Sequence, residues 1–190
     1  FSFIPPSYNE QDFGAYQDRV GESIIHAVQK DRVQYVLNLS SLGANHAKGT
    51  GPVKGLHRQE TRLNALQGVN VLHLRAGYFM DNLLFAIPAI KQKGIYASPL
   101  RGDLSIPLVA TRDIGVKAAE LLDRLDFQGH EVFEFVGPRG VTMNETTKIL
   151  GKAIGKPDLR YQQTSYSEAE EAMIASGMKP EMARLMIEMY

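Results

Sequence analysis

Three aliphatic runs constrain the fold most: Val33 to Leu39, Val71 to Leu74 and Val132 to Val136. Each is short, rich in β-branched or aliphatic residues, and ends near Ser, Gly or Pro, which is the composition of a buried strand. Between them lie segments whose apolar residues recur three and four apart. Phe13, Tyr16, Val20, Ile24, Ala27 and Val28 keep that spacing over a helix expected from Asp12 to Lys30, with Asn9 or Ser7 as its cap. A second helix is expected over His57 to Leu66, stopping near Gly68. A third should run from Thr111-Arg112-Asp113 to Leu125, with Asp113 read as its cap. Strand–helix alternation of this kind is the pattern of an α/β fold with a doubly wound, mostly parallel sheet.

The rest of the chain fits around that frame. Phe1-Ser2-Phe3-Ile4 reads as a strand halted by Pro5-Pro6, and residues 42–56 form a loop with Gly43, Gly49, Gly51, Gly55 and Pro52. Tyr78 to Lys93 looks partly helical and is bent or broken at Pro88. Ile106 to Val109 is a further short strand. After Gly137-Pro138 the chain turns helix-rich: Thr142-Met143-Asn144-Glu145 has capping-box spacing, Leu159 to Gln163 suggests a strand, and Tyr166 to Tyr190 reads as two helices split near Gly177 and Pro180. The expected organisation is one domain over 1–190, with 1–136 mainly sheet core and 137–190 mainly a small helix-rich lobe, where ligands of open α/β sheets sit. Met173, Met178, Met182, Met186 and Met189 fall near one helical face, a stripe that packs a core or partner helix, or lines an adaptable pocket.

Composition narrows the function. Lys+Arg and Asp+Glu balance at 21 each, so the basic excess of a nucleic-acid binder is missing. No cysteine occurs, which removes disulfides, thiol catalysis and zinc–thiolate sites and fits a cytoplasmic protein. No metal site is expected. The apolar stretch from Leu83 to Ile90 is too short to span a bilayer. The chain opens inside an apolar strand, so the expectation is that a segment precedes it, or that a protein partner or second copy covers the exposed edge.

Four stretches resemble one family. Val36 to Ala44 is similar to the fifth strand and serine loop of short-chain dehydrogenases/reductases. Leu74-Arg75-Ala76-Gly77-Tyr78-Phe79-Met80-Asp81-Asn82-Leu83-Leu84 resembles a segment of the NmrA-like, atypical branch of that group. Arg112-Asp113-Ile114-Gly115 with Ala118-Ala119, and Gly137-Pro138 with Thr142 to Glu145, resemble two later segments of it. The stretches follow in family order and cover nearly the whole chain. The resemblance implies a Rossmann-type, NAD(P)-binding fold. It also implies that Phe1 begins the fourth strand, so that the Gly-rich phosphate turn lies in a preceding segment of roughly 60–80 residues, about two βα units. The strand that chooses between NAD and NADP would lie there too.

Site residues follow from the same resemblance. Short-chain dehydrogenases use Ser with Tyr-x-x-x-Lys, one helical turn setting Tyr and Lys on a common face. Ser40 and Ser41 stand at the serine position, yet no Tyr lies between Tyr35 and Tyr78. The helix that should carry the pair reads His57-Arg58-Gln59-Glu60-Thr61, where His57 is either a substitute general acid or an ordinary histidine near a helix start. Glu60 is read as serving helix packing or capping. Catalytic candidates are therefore Ser41 and His57. Cofactor contacts fall to Pro5, Pro6 and Ser40 at two strand ends and to Ala76, Gly77, Tyr78, Phe79 and Asn82 at the next.

Three functions stay open: a reductase passing hydride from NAD(P)H to a small organic acceptor, a non-catalytic NAD(P)-sensing regulator with a protein partner, or a chain that binds no dinucleotide because its phosphate site is absent.

Overall fold

The computed structural model describes residues 1–7 and 10–190. Its centre is a parallel sheet of β1 (Tyr35–Ser41), β2 (Asn70–Ala76) and β6 (His130–Phe135), with β2 in the middle. On the outer side of β1, Ser2 pairs parallel with Asn38, its N–H donating to Leu37 O and its carbonyl accepting from Leu39, both at 2.9 Å. Of the strand expected over Phe1 to Ile4, Ser2 alone enters the ladder. β1 runs two residues further than its aliphatic run, because Ser40 and Ser41 continue in register with Arg75 and Ala76.

Strand alternation sorts the side chains. Val36, Asn38 and Ser40 of β1 share a face with Val71, His73 and Arg75 of β2. That face meets α1 (Phe13–Lys30) and α2 (Lys54–Asn64) through Val28, Val36, Leu63, Leu66 and Val71. The opposite face carries Leu37, Leu72, Leu74 and Ala76 onto Ile114 and Ala118 of α4 (Thr111–Arg124). Helices on both faces of a parallel sheet make the fold doubly wound.

Helix starts differ from expectation in instructive ways. Asp12 caps α1, accepting from Ala15 N at 2.8 Å, because it is the residue directly before the first helical turn. The Ser7 hydroxyl instead points to Glu10 at 3.4 Å, and Asn9 lies outside the described residues. Asp113 does not cap α4: the helix begins two residues before it, which leaves Asp113 in the first turn, where its charge suits the helix dipole. The capping acceptor is Asp81 Oδ2, 3.1 Å from Thr111 N. Pro88 does not bend one helix. It opens α3 (Ile87–Lys93), where a missing N–H costs nothing, after a 3₁₀ segment at Met80–Ala86. Thr142 does cap α5 (Met143–Ala153), but the Glu145 carboxylate turns to Arg139 at 2.9 Å rather than back to the cap.

A second core stands beside the sheet. β3 (Tyr78–Phe79) pairs parallel with β5 (Ser105–Val109), which pairs antiparallel with β7 (Gly140–Thr142); β4 (Ile95–Ser98) pairs parallel with β8 (Arg160–Gln163). Leu83, Ile90, Tyr96, Ile106, Met143 and Leu159 fill it, so this lobe draws on chain from both sides of residue 136. Two helices close the molecule. α6 (Tyr166–Ala175) starts on a complete Ser165–Glu168 capping box, and α7 (Pro180–Met189) returns to pack on the 3₁₀ turn Gly51–Val53 that follows the serine loop. Among the described residues no helix is long and apolar enough to cross a membrane.

Candidate functional site

All strands of the central sheet run the same way, so their carboxyl ends gather at one edge, where open α/β sheets bind ligands. Register aligns Ser41 with Ala76, and Leu42 N donates to Ala76 O at 3.0 Å. Gly77 N donates to Phe135 O at 3.0 Å, which ties in the end of β6. Pairing of Ser2 with Asn38 brings Pro5, three residues on, toward the same end as Ser41. Both prolines are exposed, and Pro5 O accepts from the Tyr16 hydroxyl at 3.0 Å.

Ser41 is half-buried, with its hydroxyl donating to Leu42 O at 2.9 Å. The loop it opens is held by His57, whose Nδ1–H donates to the Ala44 carbonyl at 2.8 Å. A carbonyl can only accept, so Nδ1 carries the shared proton and Nε2 lies outside this bond. Ser41 and His57 thus serve one loop from its two ends. Ala76 and Gly77 are buried, whereas Tyr78, Phe79 and Asn82 are half-buried. Tyr78 packs on the lobe core and Phe79 on the sheet core.

The backbone that approaches Gly77 most closely is the protein's own. A Cβ there would lie 2.3 Å from the Pro107 carbonyl oxygen, so this glycine lets β5 lie under the strand end. Gly77→Ala must displace backbone, and we expect it to destabilise the protein by about 1–3 kcal/mol in urea denaturation. A loss below about 0.5 kcal/mol, the range of ordinary surface changes, would show that the contact relaxes freely.

Behind the edge lies a polar layer. Ser40 is buried and donates to Glu60 Oε1 at 2.6 Å, while Arg75 Nε and Nη2 reach the two oxygens of Glu60 at 3.0 and 2.6 Å. Glu60 therefore serves as the buried counter-ion of a strand-end clamp. Burial alone would push its carboxyl up, but the bonds from Arg75 and Ser40 outweigh that and hold it below the ordinary range. One step deeper, Ser2 Oγ donates to Asn38 Oδ1 at 3.2 Å, Asn38 Nδ2 meets His73 Nδ1 at 3.2 Å, and His73 Nε2 meets Asn64 Oδ1 at 2.9 Å. Burial pushes His73 down to about 4. Asn38, Asn64, His73 and Arg75 went unread in the sequence. The available signal was polar residues two apart, 38 with 40 and 73 with 75, inside otherwise aliphatic runs.

The donor set at the edge is a serine hydroxyl, an imidazole, and backbone at two strand ends. It suits an uncharged amide-bearing ring and its ribose. A pyrophosphate would need clustered N–H groups or cations. Among the described residues no group of three or more His, Asp or Glu gathers as metal ligands.

No protein-family model matches the chain. It is 33% identical over 119 residues to an NAD(P)H azoreductase of Xenophilus azovorans, covering 62% of this chain and 40% of that protein. It is 26% identical over 160 residues to quinone oxidoreductase 2 of Escherichia coli, covering 83% of this chain and 51% of that protein. The chain thus spans about half, or less, of the length of these relatives. The crystal structure of an NADPH-dependent quinone oxidoreductase from Escherichia coli complexed with NADPH superposes with a TM-score of 0.76 at 20% identity, over 97% of this chain and 70% of that one. The architecture is that of the Rossmann-type fold.

Proposed function

We infer that the chain is part of an NmrA-like, atypical short-chain reductase that passes hydride from NAD(P)H to a small organic acceptor. The observation that carries this reading is the parallel sheet edge where Ser41, Ala76 and Gly77 meet beside the loop held by His57. The likeness to an NAD(P)H azoreductase and a quinone oxidoreductase favours it over the regulator reading.

The residues present fit the nicotinamide half of the cofactor. Tyr78, Phe79 and Asn82 would wall the ring from one side, with the buried Ala76 and Gly77 holding the strand end behind them, and Pro5 and Pro6 would line its ribose side. Ser40, closed in by Glu60, holds its strand end and makes no direct contact. NAD(P)H bound here supplies the hydride. Ser41 orients the acceptor's polar atom, and His57 Nε2 holds or delivers the proton that balances the reduction. Acceptors whose reduction needs little proton assistance suit a site without Tyr-x-x-x-Lys.

The test is nucleotide titration of the complete protein, its intact mass measured first, followed by NADPH and NADH oxidation against a panel of quinones and azo dyes. Ser41→Ala and His57→Asn are expected to lower kcat about 10- to 100-fold with nucleotide affinity nearly unchanged. A complete protein that binds neither nucleotide would overturn the reading.

A further inference from the structure

The loop from Leu42 to Val53 has no strand or α-helix of its own, so its position depends on what grips it. His57 takes Ala44 from α2, and Gln17 of α1 donates to Pro52 O at 2.9 Å. The third grip comes from the far end of the chain. Glu188 Oε1 accepts from Gly49 N at 3.2 Å and Glu188 Oε2 accepts from Lys54 Nζ at 2.8 Å. Gly51, at φ +51°, lies so close to α7 that a Cβ there would sit 2.0 Å from Leu185 O and 3.2 Å from Met189 Cβ.

The same last turn of α7 borders something else. Met189 and Tyr190 line an apolar cleft of about 230 Å³ together with Tyr78, Leu100, Leu104 and Pro107. Tyr78 directly follows Gly77 at the sheet edge, and Pro107 is the residue against which Gly77 packs. The cleft is below the roughly 300 Å³ at which pockets for drug-sized ligands begin, so it accommodates a flat one- or two-ring system.

We propose that the last turn of α7 is a clamp with two jobs: Glu188 positions the serine loop, and Met189 limits the width of the flat acceptor admitted to the cleft. This rests on the reductase reading. Because one helical turn touches both loop and cleft, loosening it relaxes acceptor selectivity and frees the loop together.

Two readouts test it on the complete protein loaded with NADP+: calorimetric binding of naphthoquinone sulfonate and the wider anthraquinone sulfonate, and hydrogen exchange of amides 43–51. Met189→Ala should shift the affinity ratio about tenfold toward anthraquinone sulfonate, the scale of lost steric exclusion by a few methylenes. Glu188→Ala should raise exchange at Gly49 about tenfold and shift the ratio in the same direction. Leu104→Ala, at an exposed lining residue that no hydrogen bond among the described residues ties to the serine loop, should shift the ratio while leaving exchange unchanged, and it guards against Met189→Ala failing to fold. An unchanged ratio in Met189→Ala and Leu104→Ala, or a parent that binds neither sulfonate, overturns the width limit. Unchanged exchange in Glu188→Ala overturns the clamp. Failure of the reductase reading looks different: no NADPH oxidation with any acceptor, while the exchange response of Glu188→Ala persists.

Discussion

Replacing Glu60 with alanine is expected to destabilise the protein by about 3–5 kcal/mol, the cost of leaving a buried charge without its partner. Only 7% of the Glu60 side chain and 14% of the Arg75 side chain reach solvent, so water cannot replace the lost carboxylate. Three bonds end on that carboxylate, from the Ser40 hydroxyl and from two nitrogens of Arg75. Its removal strands a guanidinium that stays charged and a hydroxyl with no acceptor, between β1 and β2 one residue before Ser41 and Ala76. Glu60→Gln keeps the shape and one acceptor but turns an N–H2 group toward Arg75, so a smaller loss of about 1–3 kcal/mol is expected. Replacing both partners, Glu60→Leu with Arg75→Met, should recover much of the stability, because the penalty belongs to the unpaired charge rather than to the absent bond. Urea denaturation at neutral pH measures all four proteins. If Glu60→Ala costs under about 1 kcal/mol, the scale of an exposed pair, the clamp is solvated and does not fix the strand ends.

That buried layer explains where the sequence could be read and where it could not. The aliphatic cores of β1 and β2 and the helix α4 are legible because burial on both faces demands continuous apolar runs, and amphipathic spacing marks the helices between. β6 carries the same kind of run but is not the buried strand expected over Val132 to Val136, since it lies at the sheet edge with Val132 and Phe133 exposed. β3 and β4 are not legible. Tyr78–Phe79 is two residues long and Ile95–Ser98 four, and each is fixed by a partner strand distant in the chain: β5 lies some thirty residues on, and β8 pairs Arg160 with Ile95. The strand ends of the site could be located from where the apolar runs stop, at Ser41 and at Ala76-Gly77. The chemistry behind them could not. Asn38, His73 and Arg75 look like interruptions of a strand until register sets Asn38 beside His73 and Ser40 beside Arg75. Glu60 resembled a packing or capping residue because its partners sit 20 and 15 residues away. Glu188 meets Lys54 across 134 residues, a contact that only the return of α7 creates.

The second large effect is on pH. His73 is 1% exposed, and its hydrogen bonds specify a neutral ring: Asn38 Nδ2 can only donate, so Nδ1 must accept, and Nε2–H then donates to Asn64 Oδ1. Protonation of Nδ1 would set two donors face to face. Burial lowers the folded-state value from 6.5 to about 4; nearby Glu60 opposes that, and Arg75 and His130 add to it. Unfolded chains therefore bind a proton that folded ones refuse between pH 6.5 and 4, and stability falls as pH drops through that window. At about 1.4 kcal/mol per pH unit, the loss approaches about 3 kcal/mol by pH 4. Glu60 acts in a lower window, since its folded value is depressed: its contribution is intact above 4.5 and fades only as pH falls below it. Denaturation midpoints measured from pH 7 to pH 4 should fall steadily, and His73→Gln should flatten the part of that slope above pH 4.5. If the variant and parent keep the same slope there, the imidazole already takes up its proton in the folded state, and the neutral chain from Ser2 through Asn38 and His73 to Asn64 does not describe the core.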